Sequence, residues 1–169
     1  MNVWVVLYTW RPKSNAADRL LMTVSRTFPY KGSARIRFAD TDANGHMYFG
    51  NYLVIADEVM SEYWAELGWD FNKMHEHPSL TFSVNVNIDF LSECLGGDMV
   101  DVAVRFSRLG TKSLTAEFEM TNQRTAEMAS RGTMTSVFVD KETRKGMPIP
   151  EAFRHRILEK QPELLPLNT

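Results

Sequence analysis

From Asp40 to Tyr52 the chain reads Asp40-Thr41-Asp42-Ala43-Asn44-Gly45-His46-Met47-Tyr48-Phe49-Gly50-Asn51-Tyr52, packing two carboxylates, an amide and an imidazole into one short stretch. In an extended loop, positions 42, 44 and 46 project to one side, so carboxylate, amide and imidazole could surround one reacting atom. An amphipathic pattern begins directly afterwards, and a helix N-terminus offers unpaired N–H donors with positive partial charge. Donors aimed at a developing oxyanion are worth about 3 to 4 kcal/mol each in acyl transfer. Asp42 would then be a nucleophile or the base that activates water. An unperturbed aspartate, with a pKa of about 3.9, is ionised but weakly basic at neutral pH, so some burial would help it. A leaving thiol, with a pKa of about 8.5, departs without a strong general acid, which suits this equipment to thioesters better than amides. Turn residues also bond their own backbone, and Asp40 reads first as a turn or cap residue. His46 reads equally as a group that orients its neighbours or one that takes part directly.

The elements around this segment follow from periodicity. Ala34, Ile36 and Phe38 alternate with Ser33, Arg35 and Arg37, which predicts a strand within Tyr30 to Ala39, ended by the Asn44-Gly45 turn signal. Tyr52, Ile55, Ala56, Val59, Met60, Tyr63, Trp64 and Leu67 recur at spacings of three and four, which predicts a helix over 51–67 with Gly68 as its cap. Residues 70–78 read as loop. Phe82, Val84, Val86, Ile88 and Phe90 alternate without a slip, and further strands follow around 100–109, 114–120 and 129–139. Pro148 and Pro150 stop the sheet before a short helix near 151–159. The order predicts one antiparallel sheet, covered on its apolar face by helix 51–67. Sheets of this kind hide an exposed edge by pairing, so a homodimer is the minimum expected assembly.

Composition excludes several classes. At 169 residues the chain fits one domain of roughly 100 to 200 residues, and 44% hydrophobic residues suffice for a packed core. A net charge of −2 gives no field to attract nucleic acid or an anionic membrane. The lone Cys94 excludes an intrachain disulfide and fits a reducing, cytoplasmic setting. The apolar run Val3 to Trp10 is far shorter than the roughly 20 residues of a membrane helix. Residues 1–25 read as an N-terminal extension, either an over-long frame before Met22 or a packing arm, 26–160 as a single domain and 161–169 as a tail. Signatures of nucleophile-elbow hydrolases, P-loop and Rossmann enzymes and zincins are missing. Three adjacent residues, His75-Glu76-His77, rarely converge on one ion, so no metal is expected. Asp57 reads as a solvated or interface carboxylate, or as a second acid facing a pocket whose walls include Met60, Met74, Phe71 and Trp69.

The segment Asp40-Thr41-Asp42-Ala43-Asn44-Gly45-His46, followed by an aromatic pair and Asn51-Tyr52-Leu53, resembles the signature of hotdog-fold acyl-CoA thioesterases of the 4-hydroxybenzoyl-CoA thioesterase type. The likeness spans about residues 26 to 140, including the Gly97-Asp98 turn. It implies an α+β hotdog fold, with about five antiparallel strands wrapped around one long helix. It also implies a homodimer or homotetramer with active sites at the subunit interface, and hydrolysis of acyl-CoA to free acid and CoA without cofactor or metal. The family's catalytic aspartate falls on Asp42, and its carbonyl-polarising N–H, seven residues later, on Phe49. The Asp42-x-Asn44-x-His46 spacing is similar to acyl-carrier-protein thioesterases, in which the Asn and His assist. Arg108, Lys112 and Ser113, with Arg105 as a further candidate, would hold the coenzyme A phosphates, though they also read as an ordinary charged hairpin. Ala43 replaces the proline of some aromatic-acyl members, leaving the acyl class open. The rival readings are an acyl-carrier-protein thioesterase, a non-catalytic acyl-CoA-binding module, and a hotdog dehydratase, whose His-containing helix motif is absent from 51–68.

Overall fold

A computed structural model of the protein describes residues 27–165. Strand β1 (Tyr30–Arg35) leads through a 3-10 turn (Phe38–Asp40) and a tight hairpin loop into the long helix α1 (Phe49–Glu66). Strands β2 (Ser79–Phe90), β3 (Met99–Leu109), β4 (Ser113–Asn122) and β5 (Met128–Asp140) follow, then helix α2 (Glu151–Lys160). The strands form one antiparallel sheet in the order β1-β3-β4-β5-β2. One face is apolar: Val100, Val102, Val104 and Phe106 of β3, Leu114, Ala116, Phe118 and Met120 of β4, and Met134 and Phe138 of β5 are buried. The Tyr52, Ile55, Ala56, Val59, Met60, Tyr63 and Trp64 stripe of α1 covers that face. This is the expected sheet wrapped on one helix. The N-terminal extension lies outside the described residues.

Helix α1 starts two residues before the predicted position and ends in the anticipated glycine cap. Gly68 has φ +87°, with Trp69 N–H donating to Trp64 C=O at 2.8 Å and Gly68 N–H to Ala65 C=O at 2.9 Å. That paired arrangement is a Schellman cap, and the Trp64 and Trp69 rings supply its apolar contact.

Three sequence expectations need correction. The first strand stops at Arg35, and although Ile36 is buried, Phe38 is 92% exposed. The alternation fails there because the Asp40 carboxylate captures the Arg37 N–H and guanidinium, turning the chain before it can pair. Strand β2 does slip: Ser83 faces Ser136 and Asn85 faces Thr135, leaving Val84 as a bulge. A one-residue offset exchanges faces, so Phe82 and Val86, which the pattern placed together, lie on opposite sides of the sheet. Gln161, the first residue of the expected tail, is 1% exposed. Its amide bridges the Phe106 backbone N–H (2.8 Å) and C=O (2.9 Å) while accepting from the Tyr63 hydroxyl (3.2 Å).

Candidate active site

The segment with the chemistry folds as a hairpin rather than the extended loop its spacing suggested. Thr41 pairs with Met47, Asp42 N–H donates to His46 C=O at 3.0 Å, and Gly45 N–H donates to Asp42 C=O at 3.0 Å. Gly45, with φ +83°, permits that reversal. The turn brings Asp42 and His46 together, with Oδ2 of Asp42 3.9 Å from Nδ1 of His46. It does not bring in the Asn44 side chain, which is exposed at the tip. Only the Asn44 N–H participates, donating to Asp42 Oδ1 at 2.8 Å. Asp42 therefore keeps one oxygen for its own turn and leaves the other for His46 or a ligand. His46 Nδ1 also lies 3.3 Å from Met47 C=O, a contact that fixes the ring beside its own backbone.

Asp40 is the cap residue that its neighbours suggested. It is buried, and the hydrogen bonds from Arg37 hold its carboxyl below the usual carboxylate range. Its carbonyl accepts from Tyr48 N–H and from the Asn51 side-chain amide, both at 2.9 Å, tying the hairpin to the start of α1. That helix begins without a side-chain cap. Among the described residues the N–H groups of Phe49 and Gly50 have no acceptor, whereas Asn51 N–H bonds Tyr48 C=O. The positive end of an 18-residue helix is thus open, directly after the loop that carries Asp42. The Phe49 ring packs on Tyr48 and Phe90, with centroids 4.5 and 6.5 Å apart.

A cavity of about 310 Å³ lies further along α1, between that helix and strands β2, β4 and β5. Its walls include Met60, Trp64, Phe71 and Met134, and its polar groups are Asp57, Ser61, Thr81, Ser83 and Ser136. Met60 and Phe71 are two of the four walls suggested by the sequence. Met74 does not line the cavity, and Trp69 is buried in the core against His77, with rings 4.3 Å apart. Asp57 lines the cavity while remaining exposed to solvent, and partial desolvation there pushes its carboxyl above the ordinary aspartate value. The sequence missed Ser61, although it sits one helical turn from Asp57. Thr81 and Ser83 could not have been found, because the bulge at Val84 is what turns them inward in place of Phe82.

Arg108, Lys112 and Ser113 sit in or beside the β3–β4 hairpin. The Asp42 loop lies by the other end of β3, where Ile36 bonds Asp98, so about 30 Å of strand separates the two within one chain. Lys112 Nζ donates to Gly146 C=O at 2.9 Å, and Arg105 Nε lies 3.6 Å from Glu117. His77 Nε2 lies 2.9 Å from Asp70 C=O, while His75 faces Glu76 at 3.6 Å. Among the described residues no group of three His, Cys, Asp or Glu side chains is placed to hold a metal ion. Cys94 is fully buried, and burial pushes its thiol up, away from reactivity. No helix among the described residues is long and apolar enough to cross a membrane.

A five-stranded antiparallel sheet around one long helix, with an acidic hairpin at that helix's open N-terminus, defines a hotdog-fold domain of the thioesterase kind. Residues 36–157 match the thioesterase-like superfamily, and the chain belongs to that family. It is 28% identical over 118 residues to the 1,4-dihydroxy-2-naphthoyl-CoA hydrolase of Nostoc punctiforme, covering 69% of this chain and 78% of that one. It is 29% identical over 126 residues to the acyl-CoA thioesterase YbgC of Haemophilus influenzae, covering 72% and 91%. A thioesterase of Thermus thermophilus, solved with coenzyme A and zinc, superposes with a TM-score of 0.70 at 28% identity, over 80% of this chain and 96% of that one.

Proposed function

We propose that this protein is a cytoplasmic hydrolase of acyl-CoA thioesters that releases the free acid and coenzyme A. The observation that carries the reading is the Asp42 carboxylate, held by its hairpin next to the uncapped start of α1. The thioester carbonyl would accept from Phe49 N–H, where a helix end stabilises the oxyanion that forms on attack. Asp42 attacks that carbonyl or takes the proton from an attacking water, and His46 orients the carboxylate. Collapse of the tetrahedral intermediate expels the coenzyme A thiolate, which takes up a proton; on the nucleophilic route water then hydrolyses the acyl-Asp42 anhydride, freeing the acid and the carboxylate. Asn44 serves through its N–H, which steadies Asp42.

The complete site requires two copies of the chain. Strand β2 is 12 residues long and, among the described residues, pairs only with β5, which leaves its outer edge open there. The apolar side chains Val86 and Phe90 on β2 and Val54 and Phe49 on α1 are exposed around that edge. Asp42 and the start of α1 lie at the Phe90 end of β2, where Tyr52 and Phe49 meet Phe90, while the cavity opens at the Thr81 end. Antiparallel pairing of two β2 edges about a two-fold axis sets the Thr81 end of one chain against the Phe90 end of the other. The cavity of one protomer then receives the acyl group of a thioester attacked by Asp42 of its partner. The same operation is the means of bringing Arg108, Lys112 and Ser113 toward the coenzyme A phosphates.

The lining favours an acyl group with polar substituents. Four hydroxyls and a carboxyl leave a purely aliphatic chain facing groups it cannot satisfy, which is costly to desolvate. Purified protein given hydroxyaryl-, aryl- and alkyl-CoA thioesters, plus one acyl-carrier-protein thioester, is assayed by trapping the released thiol with a dye. The reading expects hydroxyaryl-CoA to give the highest kcat/KM. Tight binding with no thiol release from any thioester would instead favour a non-catalytic acyl-CoA-binding module.

A further inference from the structure

We propose that the Asp98–Arg124 ion pair, seated on Asn122, is a positioning unit that holds the Asp42–His46 hairpin in its working geometry. This rests on the thioesterase reading of Asp42. The hairpin leans on the connection between β2 and β3: Met47 N–H donates to Cys94 C=O at 2.7 Å, and His46 forms a bridge with Leu95. The position of His46, and of Asp42 across from it, is therefore set by the turn from Cys94 to Asp98.

Asp98 locks that turn from inside. Leu95 N–H donates to its Oδ2 at 2.9 Å, and Asp98 N–H returns a bond to Leu95 C=O at 3.1 Å. Gly97, at φ +96°, makes the reversal possible, and its N–H donates to Ile36 C=O. The same carboxylate accepts from Asn122 Nδ2 at 2.7 Å and from Arg124 Nε and Nη2 at 2.6 and 2.9 Å. Asn122 Oδ1 in turn accepts from Arg124 N–H at 2.9 Å. Residues of the β4–β5 connection thus reach Asp98, Asp98 fixes Leu95, and Leu95 fixes His46. A planar guanidinium gripping a carboxylate through two nitrogens holds direction as well as distance, which a lysine does not. These bonds keep the Asp98 carboxyl well below the usual carboxylate range.

Arg124 is suited to a test because its side chain is 52% exposed, so its replacement is compatible with folding. In the full-length protein, Arg124→Gln is expected to lower kcat on the best acyl-CoA by about 10- to 100-fold, the cost of misplacing a reacting group by about 1 Å. KM should stay within about threefold, since no substrate contact is removed. Guanidinium at sub-denaturing concentration should restore part of the kcat of Arg124→Ala and leave Asp42→Asn unaffected. Val102→Ala, a core truncation on β3 that touches none of the Asp98 hydrogen bonds, controls for loss of stability alone. Unchanged kcat in Arg124→Gln, an equal kcat loss in Val102→Ala, or failure of guanidinium to rescue would each overturn the proposal. If Asp42→Asn is inactive while Arg124→Gln is fully active, only this inference fails. If Asp42→Asn is fully active, the assignment of Asp42 fails with it.

Discussion

Replacing Asp42 by Asn separates chemistry from architecture. The amide oxygen takes the place of Oδ1 and still accepts from Asn44 N–H, at 2.8 Å in the native turn, so the hairpin keeps its internal bond. The remaining native contact, 3.9 Å from Oδ2 to His46, belongs to the class of partly exposed pairs worth about 0 to 1 kcal/mol. For a domain of this size that corresponds to a melting shift of no more than about 2 to 4 °C. Loss of the carboxylate as base or nucleophile costs about 10²- to 10⁴-fold in rate, roughly 2.7 to 5.5 kcal/mol on the barrier. The assay is dye-trapped thiol release at saturating acyl-CoA, with thermal melts on the same preparations. Activity within about threefold of the native protein would refute the role assigned to Asp42. A loss of activity accompanied by a melting drop of more than about 10 °C would show a structural carboxylate instead.

Other outcomes follow from the same geometry. Gln161→Leu strands the Phe106 N–H and C=O in the core, at about 1 to 3 kcal/mol per unsatisfied group, so urea titration should show a loss of about 2 to 6 kcal/mol. Asp57 has a raised folded pKa, so its ionised form costs stability above that pKa and nothing below the unfolded value of about 3.9. Because Asp57 is also exposed, the effect is small: Asp57→Asn should melt slightly higher than the native protein at pH 8 and equally at pH 3, and a shift of the same size at both values contradicts the desolvation argument. At Gly132 an added Cβ would lie 2.4 Å from the Asn87 backbone oxygen, so Gly132→Ala should detach β2 and expose its amides to hydrogen exchange while β3 and β4 stay protected. Val86→Lys, at the open β2 edge, should give a monomer by light scattering, and thiol release should fall with the dimer fraction.

Much of the candidate site could be read from local rules. Asp42, His46 and Phe49 are near one another in the chain, and a turn followed by a helix start leaves few ways to arrange them. The Asp40 cap and the Gly68 helix end are also local, since each satisfies backbone groups within a few residues. Asn44 marks the limit: the residue type was visible, but Gly45 bends the loop so that its side chain leaves the group while its N–H stays. Phe38 marks another, because a hydrogen-bonded turn at Arg37 and Asp40 overrode an alternating pattern that reads as strand.

By itself the sequence determined the fold class, since a period-2 pattern repeated in five segments and one period-3.6 stripe have few ways to bury their apolar faces together. It also placed the acidic segment directly ahead of the helix start, while the hairpin that segment adopts was seen only in the structure. Tertiary structure alone decided what fills the cavity wall and what steadies the hairpin. A bulge at Val84 is a strand-pairing event, so only the partner strand shows that Thr81 and Ser83 face inward. Asn122 and Arg124 reach Asp98 only because the β4–β5 connection folds back beside the start of β3, and no local period encodes a contact between segments so far apart.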